Sequence, residues 1–295
     1  MVSFITNLIN GLSLGSVYAL IAIGYTMVYG IAKMLNFAHG DIIMVGAYIA
    51  FTIITTLKMS VGLGIVAAIA GCLALGIFVE KIAYKPLRKA GSPLAVLITA
   101  IGVSYFLQNA ALLIFGADPK MFSSVVPVSF RTLQIGEFTI PGTTIISIVI
   151  SVVLVLVLQF FINKTKPGQA MLAVAQDKEA AALMGISVNG IISLTFAIGS
   201  ALAGVAGVLL CSAYPSLSPY TGAMPGIKAF VAAVLGGIGS VPGAMIGGLL
   251  LGIIENLSKT YISSQLSDAI VFSVLIIVLL VKPTGLMGKV VQEKV

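Results

Sequence analysis

Residue types that could carry out chemistry are sparse in this chain. It contains one histidine, His39, and nine carboxylates, most of which fall between apolar segments. No paired carboxylates, Ser–His–Asp set or His-x-x-x-His pattern is present. A Gly-x-x-x-x-Gly-Lys-Ser/Thr phosphate loop is also missing, so the chain does not bind ATP by that route. The sequence therefore predicts a protein that is not an enzyme and that binds no metal or cofactor of its own.

The most informative polar stretch is Asp177-Lys178-Glu179-Ala180-Ala181-Ala182-Leu183-Met184-Gly185. Asp177 can accept hydrogen bonds from the first amides of a helix, and Glu179 lies in the first turn, where the helix dipole favours an anion. Ala180 begins a run of helix formers, and Gly185 can take the left-handed position after the helix. Two turns are too few for a helix that is stable alone. We expect it to dock on another protein; a helical surface loop between two membrane segments is the alternative.

A second polar stretch, residues 36–41, precedes the second apolar run. We expect Asn36 to cap the helix that follows and Asp41 to lie in its early turns, near the positive end of the helix dipole. Gly40 would permit close approach of another helix.

The overall composition describes a membrane protein. Of the 295 residues 59% are hydrophobic and 8% charged, and the mean hydropathy is +1.16. A soluble domain would have about 45–50% apolar and about 25% charged residues. Cys72 and Cys211 each lie in an apolar run and are expected to be packing residues. The first residues lack the basic segment of a signal peptide, so we expect the first apolar run to be a retained span.

Apolar runs long enough to cross a bilayer predict an all-α integral membrane protein, a polytopic bundle of about eight spans. The runs are 5–31, 37–57, 61–79, 93–115, 143–162, 191–213, 227–257 and 266–281. The run at 227–257 is too long for one span and is broken at 239–243, which leaves two short passes and a re-entrant hairpin open. We expect one transmembrane domain over 1–295. Its parts would be an N-terminal half (1–162), a cytoplasmic loop (163–190) and a C-terminal half (191–295).

Basic residues predict the orientation in the membrane. Counting spans places eleven lysines and arginines on one side and five on the other. The richer side is expected to be cytoplasmic, which puts the N-terminus outside and both the C-terminus and residues 177–185 inside. The net charge of +7 then comes from the loop lysines and arginines that set this orientation, and no nucleic-acid partner is expected.

Glycines recur at helical spacing, as at Gly239, Gly243 and Gly247. Small residues four apart let helices approach closely in lipid, where hydrophobicity does not drive helices together. We interpret them as helix-packing residues within the chain; a dimer face is the alternative.

Ionisable residues are almost missing from the spans; Lys228 and Glu255 lie in the broken run. An ion-driven carrier would ordinarily contain more of them, since such residues mark ion pathways. The energy for transport is therefore expected to come from another protein. A channel or carrier that works alone and a non-transport scaffold are the competing hypotheses.

Three motifs carry a resemblance to a known family. Residues 179–185 match the EAA-x-x-x-Gly pattern of ABC-importer permeases, whose short cytoplasmic coupling helix docks in a groove on the ATPase. Residues 35–48 and 226–240 resemble one subfamily, and the whole chain resembles the LivH-type permease subunits of branched-chain amino acid ABC importers. The resemblance implies ATPase-coupling roles for Glu179, Ala180 and Gly185, and we expect Asp177, as the cap of the same helix, to belong to this coupling set. The family motifs also contain residues without an implied role: Asn36, His39, Gly40, Asp41, Lys228 and Phe230.

The resemblance implies a heteromeric importer in the bacterial cytoplasmic (inner) membrane. Its other parts would be a paralogous LivM-type permease, two ABC ATPase subunits that bind ATP and Mg, and an extracytoplasmic binding protein for leucine, isoleucine or valine. Importers for urea, short amides or other amino acids share the pattern.

Residues 36–41 would be either a capped cytoplasmic helix start or a structural corner near the translocation path or the ATPase contact.

Overall fold

The computed structural model describes residues 2–89, 93–123, 125, 132–135 and 138–288, and in these ranges the chain is a bundle of α-helices. The helices are α1 Val2–Ala32, α2 His39–Phe51, α3 Val61–Val79, α4 Pro93–Phe115, α5 Gly142–Lys164, α6 Lys166–Gln176, α7 Lys178–Leu183, α8 Val188–Ala213, α9 Ala223–Gly236, α10 Val241–Tyr261 and α11 Ser267–Val281. Short π-helices, Thr52–Thr56 and Glu80–Tyr84, extend α2 and α3, and a 3₁₀ turn follows at Pro86–Lys89. The strands are β1 Lys120–Met121, β2 Thr132–Ile135, β3 Phe138–Pro141 and β4 Ser216–Leu217.

The helix lengths confirm the predicted polytopic all-α membrane protein. Among the described residues, seven helices are long and apolar enough to cross a bilayer: α1, α2 and α3 with their π-helical extensions, α4, α5, α8 and α10. The predicted eighth run forms α11, which has 15 residues. Its length of about 22 Å falls short of a hydrocarbon core of about 30 Å.

α1 occupies the centre of the bundle. All side chains from residue 13 to residue 28 are buried, and the helix packs against α5, α8, α9 and α10. The outward faces of α4 and α5 are instead apolar and exposed, as at Leu113 and Leu156. Such faces suit contact with lipid or with another subunit. A movement of α1 would therefore be transmitted directly to four neighbouring helices.

Glycines let α10 run antiparallel to α1 at close range. A Cβ atom on Gly252 would overlap the backbone of Gly15, and one on Gly248 would overlap Ala19. Backbones this close maximise van der Waals contact, which is the main attraction between helices in lipid. The α1–α10 pair thus depends on the absence of side chains at these positions.

The predicted break in the run 227–257 is a turn between α9 and α10. Gly237 and Gly239 have φ of +104° and +96°, values that favour glycine. The Ser240 hydroxyl accepts the Gly243 N–H at 3.1 Å and caps α10. α9 has 14 residues, about 21 Å, and α10 has 21, about 31 Å. The segment is therefore a hairpin with one short arm and one full-length arm.

The loops gather at two ends of the bundle. At the end that carries α7, the Lys178 side chain reaches the last residue of α1, Ala32. At the opposite end β1 pairs antiparallel with β4, and the ring centroids of Phe4 and Tyr261 lie 6.3 Å apart. These ends are called the α7 end and the far end below.

Candidate functional site

α7 begins at a side-chain cap, as the sequence predicts. Asp177 Oδ1 accepts the backbone N–H of Glu179 at 2.9 Å and that of Ala180 at 3.0 Å. These amides have no partner within the helix, so the cap satisfies them and places a negative charge at the positive helix end. The helix that follows has six residues.

Gly185, two residues after the end of α7, has a left-handed conformation with φ of +82°. The Gly185 N–H donates to the Ala182 carbonyl at 3.0 Å, and the Ile186 N–H donates to the Ala181 carbonyl at 3.0 Å. These two bonds form a Schellman motif, which satisfies the last carbonyls of the helix. Both ends of α7 are thus fixed by local bonds.

Two large apolar side chains are exposed at the end of α7. Leu183 and Met184 are 89% and 82% exposed, and within α7 only Ala181 is buried. A six-residue helix is too short to persist on its own stability. An exposed apolar pair on such a helix is typical of a docking surface for another protein.

α6 supports α7 from the bundle side. The Thr165 hydroxyl accepts the Gly168 N–H at 3.1 Å and caps α6. Met171 and Val174 are buried, and α6 contacts α1, α5 and α8. α7 is therefore mounted on a helix that is packed into the protein.

Lys178 joins α7 to the centre of the bundle. Its ammonium donates a hydrogen bond to the backbone carbonyl of Ala32, at 2.9 Å. Partial burial, together with the nearby positive charges of Arg88 and Lys33, lowers the pKa of Lys178 below its ordinary value. From the sequence Lys178 is only a basic loop residue, because its partner is a backbone atom far along the chain.

A second polar cluster at the α7 end fastens the end of α3 to the start of α8. Arg88 forms an ion pair with the buried Glu80 and donates to Asn189 Oδ1 at 2.8 Å. Glu80 also accepts the Ser193 hydroxyl at 2.6 Å. Burial lowers the pKa of Arg88, and the Glu80 carboxylate opposes this shift. The sequence indicated none of these pairs.

Asn36 does not form the expected cap of α2. The N-cap residue is Ala38, which makes no side-chain bond, whereas Asn36 Oδ1 accepts the Tyr84 hydroxyl at 2.8 Å. The tertiary contact has replaced the local one because the amide is buried. Asp41 does lie in the first turn of α2, where it accepts the Gln108 side-chain amide at 2.9 Å.

His39 and Gly40 lie where three helices cross. His39 is buried, its ring is edge-on to Tyr25 with centroids 4.8 Å apart, and a Cβ atom on Gly24 would overlap it. A Cβ atom on Gly40 would overlap the Gly222 carbonyl, just before α9. Residues 36–41 therefore form a buried corner, and not an exposed start of a helix.

Phe230 connects this corner to α9. Its ring centroid lies 6.0 Å from that of Tyr25 and 5.5 Å from that of Phe37. The motifs at 35–48 and 226–240, which are far apart in sequence, thus meet against α1.

Lys228 belongs to a buried ion network near the far end. Its ammonium lies 2.7 Å from Glu255 Oε1 and 2.7 Å from Asp268 Oδ1. Glu255 also accepts the Lys259 ammonium at 2.5 Å and the Tyr18 hydroxyl at 2.9 Å. The sequence singled out Lys228 and Glu255 as rare charges in an apolar run. The sequence did not indicate Tyr18 and Asp268, because they lie on α1 and α11, or Lys259, because it lies in the exposed last turn of α10.

Two of the three predicted packing glycines face α9 within the chain. A Cβ atom on Gly243 would overlap the Gly236 carbonyl, and one on Gly247 would overlap that of Ala232. Gly239 lies in the turn instead, because its positive φ does not fit a helix.

In the part of the chain that the structure describes, no three His, Cys, Asp or Glu side chains lie close enough to hold a metal ion.

Comparison with known proteins gives consistent results over nearly the whole chain. Residues 7–279 match the family described as "Branched-chain amino acid transport system / permease component". The chain is 48% identical to the branched-chain amino acid permease protein BraD of Pseudomonas aeruginosa, over 99% of this chain and 98% of that one. It is 46% identical to the permease protein LivH of Escherichia coli, with the same coverage. A probable LivH of Methanocaldococcus jannaschii is 30% identical, over 91% of this chain and 88% of that one.

Proposed function

The chain belongs to the family of branched-chain amino acid transport permease components, and we propose that it is the permease subunit of an ATP-binding-cassette importer. Its substrates are leucine, isoleucine and valine, which it passes into the cytoplasm. The names of its relatives support this function, as do the seven apolar helices. As a multi-pass membrane transport subunit, it performs no chemical step itself.

The structure of α7 supports a role in coupling transport to ATP hydrolysis. It is capped at both ends, packed against α6 and joined to α1 through Lys178. The apolar side chains of Leu183 and Met184 are exposed at its end. We propose that Asp177, Glu179, Ala180 and Gly185 form the coupling helix that docks on an ATPase subunit. Movement of the docked helix would then pull directly on α1.

The energy and the substrate come from partner subunits. Two ABC ATPases bind ATP and Mg, a paralogous LivM-type permease completes the path, and an extracytoplasmic binding protein delivers the amino acid. This chain binds no cofactor. The exposed apolar faces of α4 and α5 provide surface for lipid and for the second permease.

The orientation follows from the same assignment. The α7 end faces the cytoplasm of the bacterial inner membrane, and the far end faces outward with the N-terminus. The basic residues Lys33, Arg88 and Lys178 lie together at the α7 end, in agreement with the positive-inside rule.

Purification from the native membrane in mild detergent tests the assembly. We expect mass spectrometry of the tagged chain to find an ABC ATPase and a similar second permease. Proteoliposomes of this complex should then take up labelled leucine only when ATP and the binding protein are both supplied. Recovery of the chain alone in several mild detergents, combined with ATP-independent leucine flux, would contradict the proposal and favour a stand-alone channel or carrier.

Substrate competition tests the specificity. Excess unlabelled isoleucine and valine should suppress leucine uptake, whereas urea, acetamide and basic amino acids should not. If urea or amides suppress uptake and branched-chain amino acids do not, the chain is still an importer subunit but its substrate is different.

A further inference from the structure

A cavity of about 220 Å³ opens beside the ion network at the far end. Its apolar wall includes Leu14 of α1, Leu210 of α8 and Met224 of α9. Lys228 and Glu255 form its charged wall together with Lys259. Clefts that hold drug-sized ligands measure about 300–1,000 Å³, so this cavity suits one small molecule.

The charged wall has both hydrogen-bond donors and hydrogen-bond acceptors left for a ligand. Among the residues that the structure describes, the Lys228 ammonium bonds to two partners, Glu255 and Asp268, and the Lys259 ammonium to one, Glu255, although each has three hydrogens. In the same part of the chain Glu255 receives three hydrogen bonds, including one from Tyr18, whereas a carboxylate has about four acceptor sites. The wall can therefore donate to an anion and accept from a cation at once.

The network also holds these groups in place. Glu255 is buried and fixed by donors from α1, α9 and its own helix, and Lys228 is held between α10 and α11. Charges in a membrane segment are costly and usually mark a functional site, and pre-positioned charges bind with little ordering cost.

We propose that this cavity binds one branched-chain amino acid as a zwitterion on its way into the bundle. The substrate carboxylate accepts from Lys228 and Lys259, and its ammonium donates to Glu255. The branched side chain lies against Leu14, Leu210 and Met224. This inference rests on the proposed importer function and adds to it a substrate site within this subunit.

Substrate protection of an introduced cysteine tests the site directly. Met224→Cys places a thiol on the cavity wall, and Tyr220→Cys places one on the exposed turn before α9, outside the cavity. The two native cysteines are buried and so give little background labelling. Each variant is assembled with its partner subunits in lipid nanodiscs and labelled with a polar maleimide.

Millimolar leucine should slow the labelling of Met224→Cys several-fold and leave that of Tyr220→Cys unchanged. 4-Methylpentanoate lacks the ammonium group and 3-methylbutylamine lacks the carboxylate, so each should protect much less than leucine. Equal protection by either analogue would overturn the zwitterion assignment.

Two charge variants separate binding from structure. In the Met224→Cys background, Lys259→Gln should raise the leucine concentration that gives half-protection. Lys120→Gln removes a charge from the same end of the bundle, outside the cavity, and should leave that concentration unchanged.

Uptake by the wild-type complex distinguishes the two proposals. If ATP-dependent leucine uptake is present but leucine does not protect Met224→Cys, the cavity is not a substrate site and the importer function stands. If the wild-type complex takes up no branched-chain amino acid, the proposed function itself fails. If gel filtration shows that Met224→Cys does not assemble normally, Thr221→Cys replaces it as the labelled variant. Thr221 lies on the same cavity wall, so leucine should protect it to the same extent.

Discussion

The Lys178 ammonium lies 2.9 Å from the carbonyl oxygen of Ala32, and this bond joins the first residue of α7 to the last residue of α1. Among the seven described spans α1 has the largest buried share, and it packs along α10. Force applied to α7 by a partner therefore has a short route to the centre of the membrane domain. The route runs through one side chain and one backbone carbonyl.

Removing this bond should weaken coupling between ATP hydrolysis and uptake. Lys178→Met keeps most of the length of the side chain but removes the donor. A partly exposed hydrogen bond of this kind contributes about 1 kcal/mol, or about a fivefold change in an equilibrium. We expect leucine uptake per ATP hydrolysed to fall by about this factor. Lys166→Met is the control, because Lys166 is exposed on α6 and makes no bond to α1 in the described structure; equal losses in both variants would contradict the prediction.

Substitution of Gly185 should also uncouple transport. A β-branched residue disfavours φ of +82°, at a cost of about 1–2 kcal/mol, so Gly185→Val should disrupt the end of α7. Membrane insertion should remain intact because nothing lies within 4 Å of the added Cβ atom. Asn tolerates the left-handed conformation, and Gly185→Asn should therefore retain most uptake. Wild-type uptake by Gly185→Val at normal protein levels would count against the coupling role.

Cysteine labelling should establish the orientation in the membrane. Met121 lies in β1 at the far end and Lys166 lies at the start of α6, and both are exposed. A membrane-impermeant maleimide should label Met121→Cys in spheroplasts, whereas Lys166→Cys should react only after the membrane is permeabilised. The reverse pattern would invert the proposed topology.

Breaking the buried ion network should destabilise the protein. Lys228→Met leaves Glu255 buried without one of its cations, and Glu255→Gln leaves Lys228 with Asp268 alone. Removing one partner of a buried pair typically costs about 3–5 kcal/mol. Each single variant should therefore unfold at a markedly lower temperature, and the double variant should lose less than the sum of the two. Cys72 and Cys211 are free and buried, so a thiol-reactive fluorophore can follow unfolding. Additive losses would show that the two side chains do not interact.

Features that depend only on neighbouring residues could be predicted from the sequence. The caps of α7 involve residues 177–186, the turn before α10 requires glycine at positive φ, and the spans follow from the length and hydropathy of each run. Each of these is a local property, because hydrogen bonds and backbone conformations a few residues apart are set by adjacent side chains.

Contacts between distant residues could not be predicted in this way. Asn36 bonds to Tyr84 in place of capping α2, Lys228 finds Asp268 on another helix, and Lys178 reaches the end of α1. In a soluble helix an apolar stripe identifies the buried face, but lipid accepts apolar side chains as readily as the protein interior does. The spans are apolar on most faces, so their sequence does not specify which face turns inward. Only the packing of the whole bundle brings these polar side chains together.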